Sequence, residues 1–137
     1  MKKQLFALVG LGLLLATVSA YAQTGVKANI PFNFVVDKAT LPAGEYIVQS
    51  LSTSGSAMTI QSSDRKLTRL VLPISCSSAK AAEKTKMLFH RYGDQYFLAQ
   101  IWTAGNDIGS ELPRSQRETE VAMDYTPQNV VVVATLR

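Results

Sequence analysis

The stretch Lys86-Met87-Leu88-Phe89-His90-Arg91-Tyr92-Gly93-Asp94-Gln95-Tyr96-Phe97-Leu98-Ala99-Gln100-Ile101-Trp102 decides the fold. Gly93-Asp94 suits a tight two-residue turn, and the residues on either side are the aromatic and aliphatic types that fit a pleated surface. A hairpin about that pair sets His90 opposite Phe97, Arg91 opposite Tyr96, Phe89 opposite Leu98 and Leu88 opposite Ala99. Leu88, Phe97 and Ile101 then share one face, and Met87, Phe89, Tyr96 and Leu98 the other. Large apolar groups on both faces place the hairpin at the centre of a sheet that is covered on both sides.

Upstream, Val26, Ala28, Ile30, Phe32, Phe34 and Val36 recur with a period of two, so Val26 to Val36 reads as a half-buried strand. Pro31 cannot donate to a ladder, which assigns this strand to an edge or gives it a bulge. Leu41-Pro42-Ala43-Gly44 has type I turn chemistry. Strands follow at Glu45 to Leu51, Ala57 to Gln61 and Leu67 to Leu72, separated by the Ser52 to Ser56 loop and the Ser63 to Lys66 turn. Pro73 ends the last of them. The small and polar run Ile74 to Lys84 is expected to be a loop with room for one helical turn at Ala79 to Lys84.

Downstream of Trp102 the chain is polar through Gly109. Ser115-Gln116-Arg117-Glu118 has capping-box spacing and predicts a helix from Gln116 to Asp124. Val130 to Leu136 reads as a buried strand that rejoins the sheet. About seven strands at regular spacing, with one short helix near the C-terminus, make the chain mainly β: an antiparallel β-sandwich or a small β-barrel. A membrane-inserted barrel would alternate apolar and polar along each strand, which the doubly apolar hairpin does not.

The N-terminus reads as an address. Lys2 and Lys3 precede an apolar run from Leu5 to Val18, and Ala20-Tyr21-Ala22 puts small side chains where a signal peptidase requires them. Cleavage between Ala22 and Gln23 is expected, with residues 1–22 as the signal peptide and 23–137 as one β-rich domain in the periplasm or outside the cell. The run falls short of the ~20 apolar residues of a spanning helix. Removing Lys2 and Lys3 lowers the formal net charge from +4 to +2. The remaining basic residues are interspersed with acids, which argues against nucleic acid as a partner. Cys76 is the single cysteine, so no internal disulfide is available in the mature domain.

Two blocks carry a resemblance. Val26 to Phe32 with Leu41-Pro42-Ala43-Gly44-Glu45-Tyr46, and Phe89 to Leu98 with Ile101-Trp102, resemble small exported, uncharacterised proteins of acidobacterial type, as does Glu111-Leu112-Pro113 with the helix after it. The resemblance implies export and a small β domain. It brings no activity, so no catalytic or binding residue is carried over. Leu41 to Val48 alone is similar to a Leu-Pro-x-Gly-x-Tyr stretch of prealbumin-like and adhesin-repeat sandwiches.

The chemistry-bearing residues are few. His90 is the single histidine, and there is no Gly-x-Ser-x-Gly elbow and no Gly-rich phosphate loop. Cys76 with His90 would be a formal dyad, although a loop thiol and a strand histidine packed on Phe97 account for them as well. One His and one Cys leave a zinc site short of ligands. Asp107, Glu111, Glu118, Glu120 and Asp124 lack calcium-loop order and read as a solvated loop and helix face. No catalytic residue, cofactor or metal is therefore assigned. His90, Arg91, Tyr92, Tyr96 and Trp102 are the candidate binding residues, since Tyr, Trp and Arg anchor interfaces, and Trp102 at the strand end is expected to be the most exposed.

Three functions stay open from sequence: a non-catalytic binding module for an envelope protein, a glycan or a small apolar ligand; a self-associating surface protein that adds strands through the Pro31 strand or Val130 to Leu136; and a small enzyme using Cys76, His90 or clustered acids.

Overall fold

The computed structural model describes residues 25–51 and 57–136. The expected signal peptide, its expected cleavage point between Ala22 and Gln23, and the expected Ser52 to Ser56 loop lie outside them.

The described chain forms two sheets and one helix. The first sheet holds β1 (Gly25–Ile30), β4 (Gly44–Ser50), β5 (Met58–Ser62), β6 (Thr68–Val71) and β12 (Thr135–Leu136), in the order β12-β1-β4-β5-β6. The second runs β11 (Gln128–Val133), β8 (Lys86–Tyr92), β9 (Gln95–Trp102), β10 (Ile108–Glu111), β7 (Ile74–Ser77). The short pair β2 (Phe34–Val36) and β3 (Ala39–Leu41) joins it, through β2 running parallel to β9 at Val35 and Phe97. Neither sheet closes on itself, so the mainly β fold is a sandwich and not a barrel. Helix α1 (Gln116–Ala122) is the short helix near the C-terminus. No described helix is long and apolar enough to cross a membrane.

The space between the sheets is filled. Ile30, Phe34, Tyr46, Ile60, Met87 and Phe89 are among the core side chains with essentially no solvent contact. Phe34 packs edge-to-face on both Tyr46 and Phe89, with ring centroids 5.1 and 5.6 Å apart. Such pairs contribute roughly 0.5–1.5 kcal/mol each beyond the apolar area they bury.

Pro31 does not sit at a sheet edge or in a bulge. The expected strand from Val26 to Val36 is broken there: β1 ends at Ile30, flanked by β4 and β12, and the chain crosses to the other sheet as β2. A proline that cannot donate to a ladder is tolerated where the ladder stops. The return crossing is Pro42-Ala43, between β3 in one sheet and β4 in the other, where a type I turn was expected. The Asn33 side chain accepts a hydrogen bond from Ala43 N–H at 3.0 Å, and the Tyr46 hydroxyl donates to the Pro42 carbonyl at 2.6 Å. The two crossings are thus tied together.

The hairpin turns at Gly93, whose φ of +64° supplies the left-handed residue that a type II′ turn requires. His90 faces Phe97, Arg91 faces Tyr96 and Phe89 faces Leu98, as read from sequence. Leu88, however, pairs with Gln100 and not with Ala99, because a bulge interrupts the register between Leu88 and Phe89. One extra residue flips everything beyond it to the opposite face. Ile101 therefore joins Met87, Phe89 and Leu98 in the inter-sheet core, while Phe97 packs on the outer face with Val35 and Tyr92.

Two further expectations are corrected. Ile74 to Lys84 is not wholly a loop: Ile74–Ser77 pairs antiparallel with Ile108–Glu111 within the supposedly irregular stretch after Trp102. Val130 to Leu136 is not a buried strand. β11 is an edge strand whose Val130 and Val132 face the core while Val131 and Val133 are exposed; after Ala134 the chain crosses to pair with β1.

Candidate functional site

The outer face of the second sheet carries the chemistry, divided between its two ends. At the hairpin end lies α1. Ser115 caps it by accepting a hydrogen bond from Glu118 N–H at 3.1 Å, and Val121 and Ala122 pack against Val35, Tyr92 and Phe97. The Glu118 side chain does not return to its own cap, nor does it face solvent as expected from sequence. It is only 4% exposed. Its Oε2 accepts a hydrogen bond from the Tyr92 hydroxyl at 2.9 Å and meets His90 Nδ1 at 2.8 Å. Arg114 Nε stands 3.7 Å from the same oxygen.

His90 and Tyr92 are two residues apart on β8, so their side chains leave the same face and reach one carboxylate. Burial and the hydrogen bond to Glu118 push the Tyr92 hydroxyl above the usual tyrosine range. A carboxylate only accepts, so Nδ1 of His90 is the donor in this pair. The arrangement fixes the imidazole, but its evident work is mechanical: a buried polar knot fastening helix to sheet.

Cys76 does not complete a dyad with this histidine. It lies on β7, three strands across the sheet from β8, on the order of 14 Å at the usual strand spacing. Burial and the nearby Glu111 push its thiol above the usual range, which disfavours the nucleophilic thiolate. Among the described residues, no three His, Cys, Asp or Glu side chains converge in the way a metal site needs.

Arg91 and Tyr96 lie on the inward face at the open end of the sandwich. The Arg91 guanidinium stands over the Tyr96 ring, 5.5 Å from its centroid, and Tyr96 stacks on Phe32 at 3.8 Å. Arg91 Nε also donates to the Gly93 carbonyl at 2.6 Å. These contacts stiffen the turn.

Trp102, expected to be exposed, is buried. Its ring lies on Gly109, where an added Cβ would meet Trp102 Cδ2 and Cε3 at 2.8 Å, and its Nε1 donates to Gln100 Oε1 at 2.9 Å. The five candidate binding residues are thus not one site: His90 and Tyr92 serve the helix, Arg91 and Tyr96 the turn, and Trp102 the far end.

That far end holds a groove of about 620 Å³ between the sheet and the segment Ser78–Lys84. Leu88, Gln100, Val131 and Val133 line it from the strands, Trp102 borders it, and Lys80, Lys84 and Lys86 surround it with Glu83. Thr85, buried beneath, fixes the overhanging segment. Its hydroxyl accepts a hydrogen bond from Ala104 N–H at 3.1 Å, and its carbonyl accepts one from Ala134 N–H at 2.8 Å. Ala82 is joined to Gly105 and Asn106 by two further backbone bonds. Sequence reasoning missed this site because its lysines fall in a stretch that reads as an ordinary polar loop.

Compared with known proteins, the chain matches no family model, no curated protein and no solved structure. Fold and site together define a class and no more: a two-sheet β-sandwich with a helix knotted to one end of an outer face and a lysine-rimmed groove at the other end.

Proposed function

We propose that this protein is exported through its N-terminal signal peptide and acts, in the periplasm or outside the cell, as a non-catalytic interaction module. Its partner is an extended, acidic and apolar segment of an envelope protein. The observation that carries this reading is the groove: Leu88, Val131, Val133 and Trp102 lie beside Gln100, with three lysines and one glutamate around them. The three aliphatic side chains favour the apolar residues of a peptide, and the lysine excess favours acidic side chains along its rim. A small apolar ligand inside the sandwich is disfavoured, because the inter-sheet space is packed with side chains.

A photo-crosslinking residue in place of Leu88, in cells that make the protein, tests the reading. It is expected to trap an acidic segment of one envelope protein, and Lys80→Glu with Lys84→Glu is expected to abolish the adduct. Adducts indifferent to that charge reversal, or none, would refute it.

A further inference from the structure

Strand β11 ends the second sheet and leaves an edge that no other described strand pairs. β11 is Gln128-Asn129-Val130-Val131-Val132-Val133, six residues without a charge, a proline or a register shift, paired on one side with β8. Free edges are ordinarily blunted by charge, proline, bulges or shortness. The other described edges obey that rule: β6 carries Arg69 and stops short of Pro73, β7 has four residues and follows Pro73, β3 has three, and β12 has two. Large apolar side chains also stay exposed along the same segment, namely Met123, Tyr125, Val131, Val133 and Leu136.

We infer that β11 is a self-association edge, pairing antiparallel with β11 of a second copy of this chain across a two-fold axis. A second copy is the occupant this strand fits because the strand is its own complement. A two-fold perpendicular to the sheet keeps each face on its own side, so residues pair only with partners of the same parity. Centred on Val132, the register sets Val131 against the partner's Val133 and Val133 against the partner's Val131. Both exposed valines of each copy are covered at once. No like charges meet, since the strand has none. The two seven-stranded sheets become one, and the two grooves, each lined by Val131 and Val133, come to lie side by side across the axis. The pairing uses backbone groups and these two valines, which it shares with the groove, so its test reads association alone and involves no groove ligand.

The test is sedimentation of the protein as purified from its producing cells, at the highest soluble concentration. The wild type is expected to sediment as a dimer. Val131→Glu with Val133→Glu, which sets glutamate against glutamate twice across the axis, is expected to sediment as a monomer. Position 133 lies opposite Lys86 within the chain, so this variant keeps its fold, checked by an unchanged thermal transition. Mixing it with the Val131→Lys, Val133→Lys protein is expected to restore the dimer through two complementary pairs. A wild-type monomer, a dimer that the glutamates leave intact, or no recovery on mixing would each overturn the inference.

Discussion

Glu118 Oε2 lies 2.8 Å from His90 Nδ1, a single contact that ties the third residue of the only described helix to a central strand of the sheet. Because the same oxygen also holds the Tyr92 hydroxyl, the carboxylate is the keystone of the helix–sheet joint. Glu118→Ala removes both bonds and leaves a buried hydroxyl without a partner. The expected cost is about 3 kcal/mol, read as a lower urea midpoint and faster amide exchange throughout residues 116–122. Glu118→Gln is expected to lose less. A destabilisation within about 0.5 kcal/mol for the alanine variant, typical of a surface change, would contradict the joint.

Alkaline pH probes the same joint from the tyrosine side. Tyr92 and Tyr46 both have folded pKa values above their reference of 10.0, chiefly through burial. Below that reference, folded and unfolded chains hold the same phenolic protons and stability is intact. Above it the unfolded chain releases protons that the folded chain keeps, so stability falls as pH rises towards the folded values, by up to about 1.4 kcal/mol per pH unit per group. Tyr92→Phe is expected to make that alkaline limb shallower, as followed by denaturant titration between neutral and strongly alkaline pH. An unchanged limb would contradict it.

Gly109 has no room for a side chain under Trp102. Gly109→Ala is expected to cost about 1–3 kcal/mol, as overpacking does, and to shift the emission of Trp102, the chain's single tryptophan. A variant as stable as the parent, with unaltered fluorescence, would mean that the ring does not lie there.

Cys76 is expected to alkylate more slowly than the same thiol in the denatured chain, since burial and Glu111 both hold it protonated. Glu111→Gln removes one of those causes and is expected to quicken iodoacetamide labelling a few-fold. Equal rates in the folded and denatured chains would contradict this.

Much of the fold was legible in sequence where local chemistry and tertiary packing agree. Gly93-Asp94 fixed the hairpin, and the pairs from His90 and Phe97 to Phe89 and Leu98 followed. Legibility stopped at the bulge beside Leu98, because an inserted residue leaves no mark in composition, and Ile101 was consequently placed on the wrong face. Ile74–Ser77 and Ile108–Glu111 were missed for a different reason. Both are short, rich in Ser and Gly, and stabilised by each other across some thirty residues of chain, so neither shows an apolar period of its own. Glu118 looked solvated because a carboxylate in the first turn of a capped helix usually is. The available clue was His90 and Tyr92 two apart on a strand, a pair of polar tips that, once buried, need an acceptor. The groove had no sequence signal, since its lysines and its valines are brought together only by the sheet.

Trp102 borders the groove and therefore reports directly on the acidic, apolar, extended peptide proposed to fill it. The measurement is Trp102 fluorescence during titration with a peptide alternating Glu and Leu, at low and at high salt, for the wild type and for Lys80→Glu with Lys84→Glu. The predicted result is a saturable emission change that weakens as salt rises and vanishes in the charge-reversed protein. An emission that no acidic peptide alters, or equal binding of a peptide alternating Lys and Leu, would show that the groove does not take such a segment.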